Sequence, residues 1–234
     1  EGFSGMASLL YHHTMPTAVA ELRPAGRERV EVWEDGVQRH HHLDTADYRI
    51  PDRPVEGRDW LLFNNDVKIG ISGATESMPE NEFYRNGAAD EVWFVHQGEG
   101  TVHTIMGDLP FHAGDYIVLP QHITWRMELE EGPARFLVVE SRTQVKPPAR
   151  YRNEFGQFQE HAPYSERDFH PPWEIVNHIG EEGEFHVTVK VGEKLTDNIF
   201  KYHPFDLVGW DGHYFPYTLD IRDFEPITGR IHMP

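Results

Sequence analysis

The central block of this chain reads Glu91-Val-Trp-Phe-Val-His-Gln-Gly98 and, after fifteen further residues, Gly114-Asp-Tyr-Ile-Val-Leu-Pro120. Each piece is a short apolar run with a glycine at one end, and turns between strands favour glycine because it adopts positive φ at little cost. Pro120 stands where a strand can leave its sheet, since proline donates no hydrogen bond to a ladder. The block therefore predicts consecutive β-strands.

Similar short runs flank this block along the chain. Helical periodicity is nearly absent, and 20 glycines and 17 prolines divide the sequence into short pieces. The predicted strands are 29–33, 60–64, 67–72, 90–96, 100–105, 116–119, 124–128, 134–140, 173–177, 185–191 and 198–202. Their regular spacing predicts a mostly β protein, an antiparallel sandwich or jelly roll.

The two quoted stretches resemble the motifs of the cupin fold. Glu91 is followed after six residues by Gly98, and Gly114 after five residues by Pro120. The resemblance implies a cupin (double-stranded β-helix) barrel. The histidine positions of the motifs fall on other residues, namely Gly87 or Asn86, Arg85 or Tyr84, and Trp125. A single carboxylate cannot form a two-histidine, one-carboxylate metal face, so we expect a degenerate barrel with no metal or cofactor ligands.

Sixteen histidines are a high number for this length, and imidazole is the commonest metal ligand. Four of them lie in or beside the predicted barrel strands: His96, His103, His112 and His122. His96 and His103 could face each other across a hairpin. In the run His40–His42 at most two side chains share a face of a strand. We expect ordinary surface or hydrogen-bonding roles for these histidines, with a metal site as the open alternative.

The charge balance limits the classes of partner. The chain has 39 acidic and 21 basic residues and therefore a formal charge of -18. This charge repels phosphate backbones and anionic lipid. No apolar run is long enough to cross a membrane. The sequence thus predicts neither a nucleic-acid nor a membrane partner. The chain has no cysteine, which excludes disulfides and thiolate chemistry and fits a cytoplasmic protein.

We divide the chain into three predicted parts. Residues 1–55 form an amino-terminal arm with the first strands, 56–145 the degenerate barrel, and 146–234 a linker and strands that lead into a second cupin absent from the chain. The segments 151–173 and 205–217 are rich in aromatic residues and so require a partner surface. Neither end reads as a natural terminus, so we expect a chain truncated at both ends.

Long strings of the sequence resemble the homogentisate 1,2-dioxygenase family. They are Tyr202-His-Pro-Phe-Asp-Leu-Val-Gly-Trp-Asp-Gly-His-Tyr-Phe-Pro-Tyr217, the continuation 223–232, Glu1-Gly-Phe-Ser-Gly5 and Leu9-Leu-Tyr-His12. The resemblance implies two cupins, of which the first is structural and the second binds Fe(II) through two histidines and a glutamate. It also implies cleavage of homogentisate by O2 to maleylacetoacetate, a step of tyrosine and phenylalanine catabolism. The three ligands would lie beyond residue 234.

The same resemblance carries the expectations about partners and catalytic residues. His232 is the candidate catalytic base, with a structural role as the open alternative. Fe(II) belongs to the full-length enzyme and none is expected in this chain, whose substrates would be a small aromatic acid and O2. A homo-oligomer, a trimer or a hexamer, is implied. Two other readings stay open: a non-catalytic cupin that binds a ligand or protein, and a cupin isomerase with a divalent metal.

Overall fold

The computed structural model describes residues 6–34, 37 and 39–225, which form strands and single-turn 3-10 helices. The strands are β1 (Ser8–His12), β2 (Glu21–Arg27), β3 (Asp59–Phe63), β4 (Val67–Ala74), β5 (Glu82–Asn86), β6 (Asp90–Gln97), β7 (Gly100–Thr104), β8 (Gly107–Phe111), β9 (Asp115–Leu119), β10 (Thr124–Leu129), β11 (Ala134–Ser141), β12 (Glu182–Val191), β13 (Lys194–Tyr202), β14 (Leu207–Gly212) and β15 (Tyr217–Asp220). The 3-10 helices are Ala149–Tyr151, Glu166–Asp168 and Ile221–Asp223. Within these ranges no helix has the length or apolar character to cross a bilayer.

Two large sheets face each other across the main core. One has the strand order β2-β13-β12-β5-β10-β7-β8 and the other β15-β9-β6-β11-β4-β3, while β1 pairs with β14 in a small third sheet. The pairs are antiparallel, except that β12 runs parallel to β5. Side chains from both large sheets, among them Trp93, Trp125 and Phe136, fill the space between them. The fold is thus mostly β and has the sandwich architecture of a cupin barrel, as the sequence predicts.

The motif glycines lie at the turns that join strands. Gly98 follows β6 with a φ of 99°, and Gly114 precedes β9 with a φ of 105°. A Cβ at Gly98 would lie 2.7 Å from the Cβ of Ala134, so this turn requires glycine for space as well as for conformation. Pro120 directly follows β9, where the chain leaves the sheet as predicted.

Strands that follow residue 146 extend these same sheets. β12 pairs with β5 in the register His186↔Glu82 to Lys190↔Asn86, and β15 pairs with β9. Residues of the carboxyl-terminal half therefore reach the barrel interior, which matters for the site below. The division into three parts remains a prediction.

Several aromatic side chains of the two aromatic-rich segments pack on surfaces within this chain. Phe205 is buried with Phe83 and Phe185 in a second core cluster on the outer face of the seven-stranded sheet. Tyr164 and Phe169 pack together with centroids 5.3 Å apart. For Phe205 this corrects the expectation that the segment needs a partner surface outside the chain, whereas Phe155 and Trp173 of the segment 151–173 remain largely exposed.

Two predicted strands are wrong and six are missed. Segments 29–33 and 173–177 have no strand, and Trp33 and Trp173 there are largely exposed. The missed strands are β1, β2, β5, β8, β14 and β15. Both β2, with Pro24, and β8, with Pro110, lie at the edges of the seven-stranded sheet, where proline is tolerated.

Candidate functional site

The barrel interior shows which residues occupy the histidine positions of the cupin motifs. Tyr84 and Asn86 on β5 are buried beside Glu91, and Trp125 on β10 is buried against Tyr84 with centroids 5.3 Å apart. The alternative Arg85 points away, because side chains alternate along a strand, and its Nε donates to Thr124 Oγ1 at 2.8 Å. The sequence left two candidate residues open at each of these histidine positions. Tyr84 and Asn86 are the ones that face the barrel interior.

Glu91 binds an arginine in place of a metal ion. Arg58, which directly precedes β3, donates Nη1 to Glu91 Oε1 at 2.8 Å and Nη2 to Oε2 at 3.1 Å. Glu91 Oε1 also accepts from the Tyr84 hydroxyl at 3.0 Å and from Asn86 Nδ2 at 2.9 Å, and Oε2 accepts from Trp93 Nε1 at 3.0 Å. Both carboxylate oxygens are therefore fully engaged by protein donors.

Further charged side chains extend this pair into a buried ion network. Lys190 Nζ lies 2.7 Å from Glu28 Oε2 and contacts Glu140 Oε2. Lys68 Nζ lies 3.5 Å from Glu28 Oε2 and 3.6 Å from Glu140 Oε1. The network, defined as Glu28, Arg58, Lys68, Glu91, Glu140 and Lys190, has three carboxylates and three cations. Its formal charge is zero, as a low-dielectric interior requires.

The environment keeps the central pair charged. Burial raises the pKa of a carboxyl group, but the charges of Arg58 and Lys190 outweigh it, so the pKa of Glu91 lies below its ordinary value. Burial likewise opposes the charge of Arg58, whereas Glu91 raises its pKa. The guanidinium also lies over the rings of Tyr84 and Trp93, at 4.8 and 4.7 Å. This arrangement is not an open metal face, and these barrel residues do not fit an iron ion.

Sequence reasoning found Glu91 but missed most of the network. One signal was available: Glu140 continues the inward-facing series of Phe136 and Val138 on β11, so alternation alone places a carboxylate inside. Lys190 gave no such signal, because the apolar residues of β12, such as Val187, face the second core cluster on the other side of the sheet.

The barrel histidines do not converge on a common point. β6 and β7 belong to different sheets, so His96 and His103 do not face each other across a hairpin, which corrects that expectation. His103 Nδ1 contacts Asp108 at 2.8 Å. His122 has a φ of 72°, and burial followed by the charge of Arg85 lowers its pKa. His103 therefore has a hydrogen-bonding role, one of those that the sequence predicts.

The other predicted histidine positions add no site. His40, His41 and His42 are exposed and outside any strand, and His41 packs on Trp33 with ring centroids 4.9 Å apart. His232, the candidate base, lies outside the described residues, and its role stays a prediction.

A second cluster has the composition of a two-histidine, one-carboxylate site. His178, Glu181 and His203 bring their ligand atoms within 4.8 Å of one another. The two imidazoles are stacked, however, with centroids 3.9 Å apart and planes 15° from parallel. Nitrogen lone pairs lie in the ring plane, so parallel stacked rings cannot both direct a lone pair at one ion. His203 Nδ1 also accepts from the Phe205 backbone N–H at 3.1 Å. This geometry does not suit a metal.

The burial of His203 makes stability depend on pH. Burial and, second, the neighbouring His178 lower its pKa from 6.5 to about 4. Between these values the unfolded chain binds a proton that the folded chain does not, so this contribution is complete above pH 6.5 and is lost as the pH falls towards 4. We expect His203→Asn, whose amide oxygen replaces the Nδ1 acceptor, to flatten this part of the stability curve. Urea midpoints measured from pH 7 to pH 4 test this, and an unchanged slope contradicts it.

A third cluster lies at an acidic surface cleft of about 440 Å³. His112 Nδ1 lies 2.6 Å from Asp115 Oδ2, but His112 Nε2 is 3.9 Å from Asp220 Oδ2. Asp220 is already paired with Arg222, whose Nε donates to Oδ1 at 2.8 Å. The arginine satisfies the carboxylate that a metal would need, so the cluster is an ion-pair arrangement.

Comparisons with known proteins place the chain in a family. Residues 57–221 match the family described as homogentisate 1,2-dioxygenase N-terminal. A candidate dioxygenase of Saccharolobus solfataricus is 35% identical across 100% of this chain and 59% of its own length. The homogentisate 1,2-dioxygenase of Rhodopseudomonas palustris is 31% identical over 85% of this chain and 46% of its own length.

Among solved structures, an RmlC-like cupin protein from Methanocaldococcus jannaschii aligns with 46% of this chain and 94% of its own, at 15% identity and a TM-score of 0.36. The chain spans between 46% and 59% of the length of the two curated relatives above.

Proposed function

This chain belongs to the homogentisate 1,2-dioxygenase N-terminal family, and from that membership we propose that it is the structural cupin of an iron-dependent, ring-cleaving dioxygenase. The reaction would insert O2 into a small hydroxylated aromatic acid, homogentisate in the relative from Rhodopseudomonas palustris. The iron and its ligands would belong to a second cupin. A cytoplasmic location is part of the same proposal.

The observation that supports this division of labour is the ion network in the barrel. Arg58 and Lys190 supply the positive charge that a metal ion would bring, and Glu91, the carboxylate of the motif, is held by Arg58. Substituting one ion pair of this network would not open a coordination position for a metal. Trp125 is buried at the position where the cupin motif has its last histidine, and it fills that space. The barrel therefore contributes packing and rigidity, and no catalytic step is assigned to its residues.

The chain by itself is expected to be inactive. Purified residues 1–234, supplied with Fe(II) and homogentisate, should consume no O2 above the buffer rate, because the described residues form no open two-histidine, one-carboxylate face. An oxygen electrode and product absorbance measure this, with a full-length homogentisate 1,2-dioxygenase as the active control. Iron-dependent uptake by the chain that His178→Ala abolishes would contradict the proposal and assign the metal to the stacked histidines.

A homo-oligomer, a trimer or hexamer, is the proposed assembly. Large apolar side chains remain exposed on the described surface, among them Trp33, Phe155 and Trp173, and such groups are often covered by a neighbouring subunit. Sedimentation at low and high salt would detect the assembly, which apolar contacts should preserve at high salt.

The second candidate function is a ligand-binding module without catalysis. The observation that favours it is an aromatic cavity, separate from the barrel network, which is lined by an arginine that forms no ion pair with the described residues. An isomerase function has no support from the described clusters.

A further inference from the structure

A cavity of about 330 Å³ lies between residues 145–171 and residues 213–217, which end at the start of β15. Its aromatic walls come from Phe158, Phe169, Tyr214, Phe215 and Tyr217, and Arg152 is part of the lining. We propose that this cavity binds a small, planar aromatic carboxylate, with the ring between the aromatic walls and the carboxylate on Arg152. The proposal requires neither iron nor the dioxygenase assignment.

The aromatic walls are held in place by their neighbours. Phe158 and Phe169 are stacked, with centroids 5.4 Å apart and planes 16° from parallel, and Phe169 contacts Tyr217 at 5.1 Å. The Tyr214 hydroxyl donates to Oδ1 of Asp90. Oδ2 of Asp90 accepts from the Val145 backbone N–H at 2.7 Å. A ligand would therefore meet a wall that is already formed, which reduces the entropy cost of binding.

Arg152 supplies the directional part of the site. Its Nε is shielded from solvent and has no hydrogen-bond partner, and no carboxylate of the described residues forms an ion pair with its guanidinium. The backbone around it is fixed, since its carbonyl accepts from Gln159 Nε2 at 2.9 Å and its N–H donates to Ala149 O at 3.1 Å. The side chain is only partly exposed, so part of its charge is removed from water without an acidic partner among the described residues. A ligand carboxylate in the cavity would supply that partner by accepting charge-assisted hydrogen bonds from the terminal guanidinium nitrogens, which solvent reaches.

Size and charge define the ligand class further. The volume is at the lower end of the roughly 300–1,000 Å³ found for ligand pockets, so a single ring with short substituents fits. An inorganic anion would leave the aromatic walls unused, and a cation would be repelled by Arg152. Glu166 also lines the cavity, and its charge disfavours a second negative group on the ligand. The expected ligand is therefore a monoanion.

Calorimetric titration of the 234-residue chain with benzoate tests the proposal. We expect saturable binding of benzoate, and at least about tenfold weaker binding of benzamide, which has the same shape without the charge. Cyclohexanecarboxylate, which is not planar, should also bind less tightly. Absence of saturable benzoate binding, or equal binding of benzoate and benzamide, would overturn the proposal without affecting the proposed dioxygenase function.

Variants assign the binding to the cavity. Arg152→Gln should weaken benzoate binding at least about tenfold, whereas Arg150→Gln is the matched control, because Arg150 lies over the Tyr151 ring at 4.8 Å and outside the cavity lining. Glu166→Gln should tighten binding up to about fivefold by removing a like charge. An unchanged affinity in Arg152→Gln, or weaker binding in Glu166→Gln, would count against the site. The benzoate and benzamide comparison on the unmodified chain holds even if a variant fails to fold.

Discussion

Replacing Arg58 by methionine is expected to lower the free energy of unfolding by about 3–5 kcal/mol. The substitution leaves Glu91 buried without the cation that accounts for two of its hydrogen bonds, and an uncompensated buried carboxylate is the main cost. It also removes the guanidinium from the faces of Tyr84 and Trp93. Urea unfolding followed by tryptophan fluorescence measures the loss.

The matched control is Arg27→Met, because Arg27 pairs with Glu193 at 3.1 Å on the surface, where both side chains are largely exposed. Its unfolding midpoint should barely change. The double variant Arg58→Met with Glu91→Gln should recover part of the loss, since it removes both members of the pair. A double variant that is less stable than Arg58→Met alone would contradict the view that the unpaired carboxylate causes the loss.

Replacing Trp125 by alanine is expected to cost about 3–5 kcal/mol of stability. Trp125 is 1% exposed, and its ring meets Tyr84 at 5.3 Å and Trp93 at 5.6 Å in edge-to-face contacts. Alanine would leave a cavity next to the ion network that rigid strands from both sheets cannot close. The same urea experiment gives the value.

Trp173→Ala is the control for tryptophan loss as such, because Trp173 is 86% exposed, and its effect should stay within about 0.5 kcal/mol. The costs of Trp125→Ala and Arg58→Met should not add, since both residues contact Tyr84 and Trp93. Equal effects of the two tryptophan substitutions would show that Trp125 does not support the core.

Much of the fold was predictable from local patterns. Glycine and proline mark the turns around Gly98, Gly114 and Pro120 because their backbone limits are intrinsic to the residue. Strands such as β4, β6 and β11 read as apolar runs since one or both faces are buried. The edge strands β2 and β8 were missed, because an edge strand tolerates proline and needs few apolar residues, so its pairing has little signature in the sequence.

The candidate site was predictable only as a set of missing histidines. The motif spacing alone identified Glu91. It did not decide whether Tyr84 or Arg85 occupies the histidine position, because that depends on which face of β5 points into the barrel. The cations that neutralise Glu91 come from Arg58 and Lys190, far from it in the chain. The parallel pairing of β12 with β5 brings Lys190 to the site, and the strand order β6-β11-β4-β3 brings Arg58 there. No local pattern encodes either arrangement.

The sequence by itself determined that this chain forms a mostly β cupin, that it is strongly acidic, and that the metal-binding histidines of the motif are replaced, because these properties depend on residue identity and spacing. Only the tertiary structure decided what fills the barrel instead of a metal, and that Arg152 lies at an aromatic cavity with no carboxylate partner among the described residues. Ion pairs and cavities are set by distances of a few ångströms between segments remote in sequence, and those distances arise only when the sheets pack.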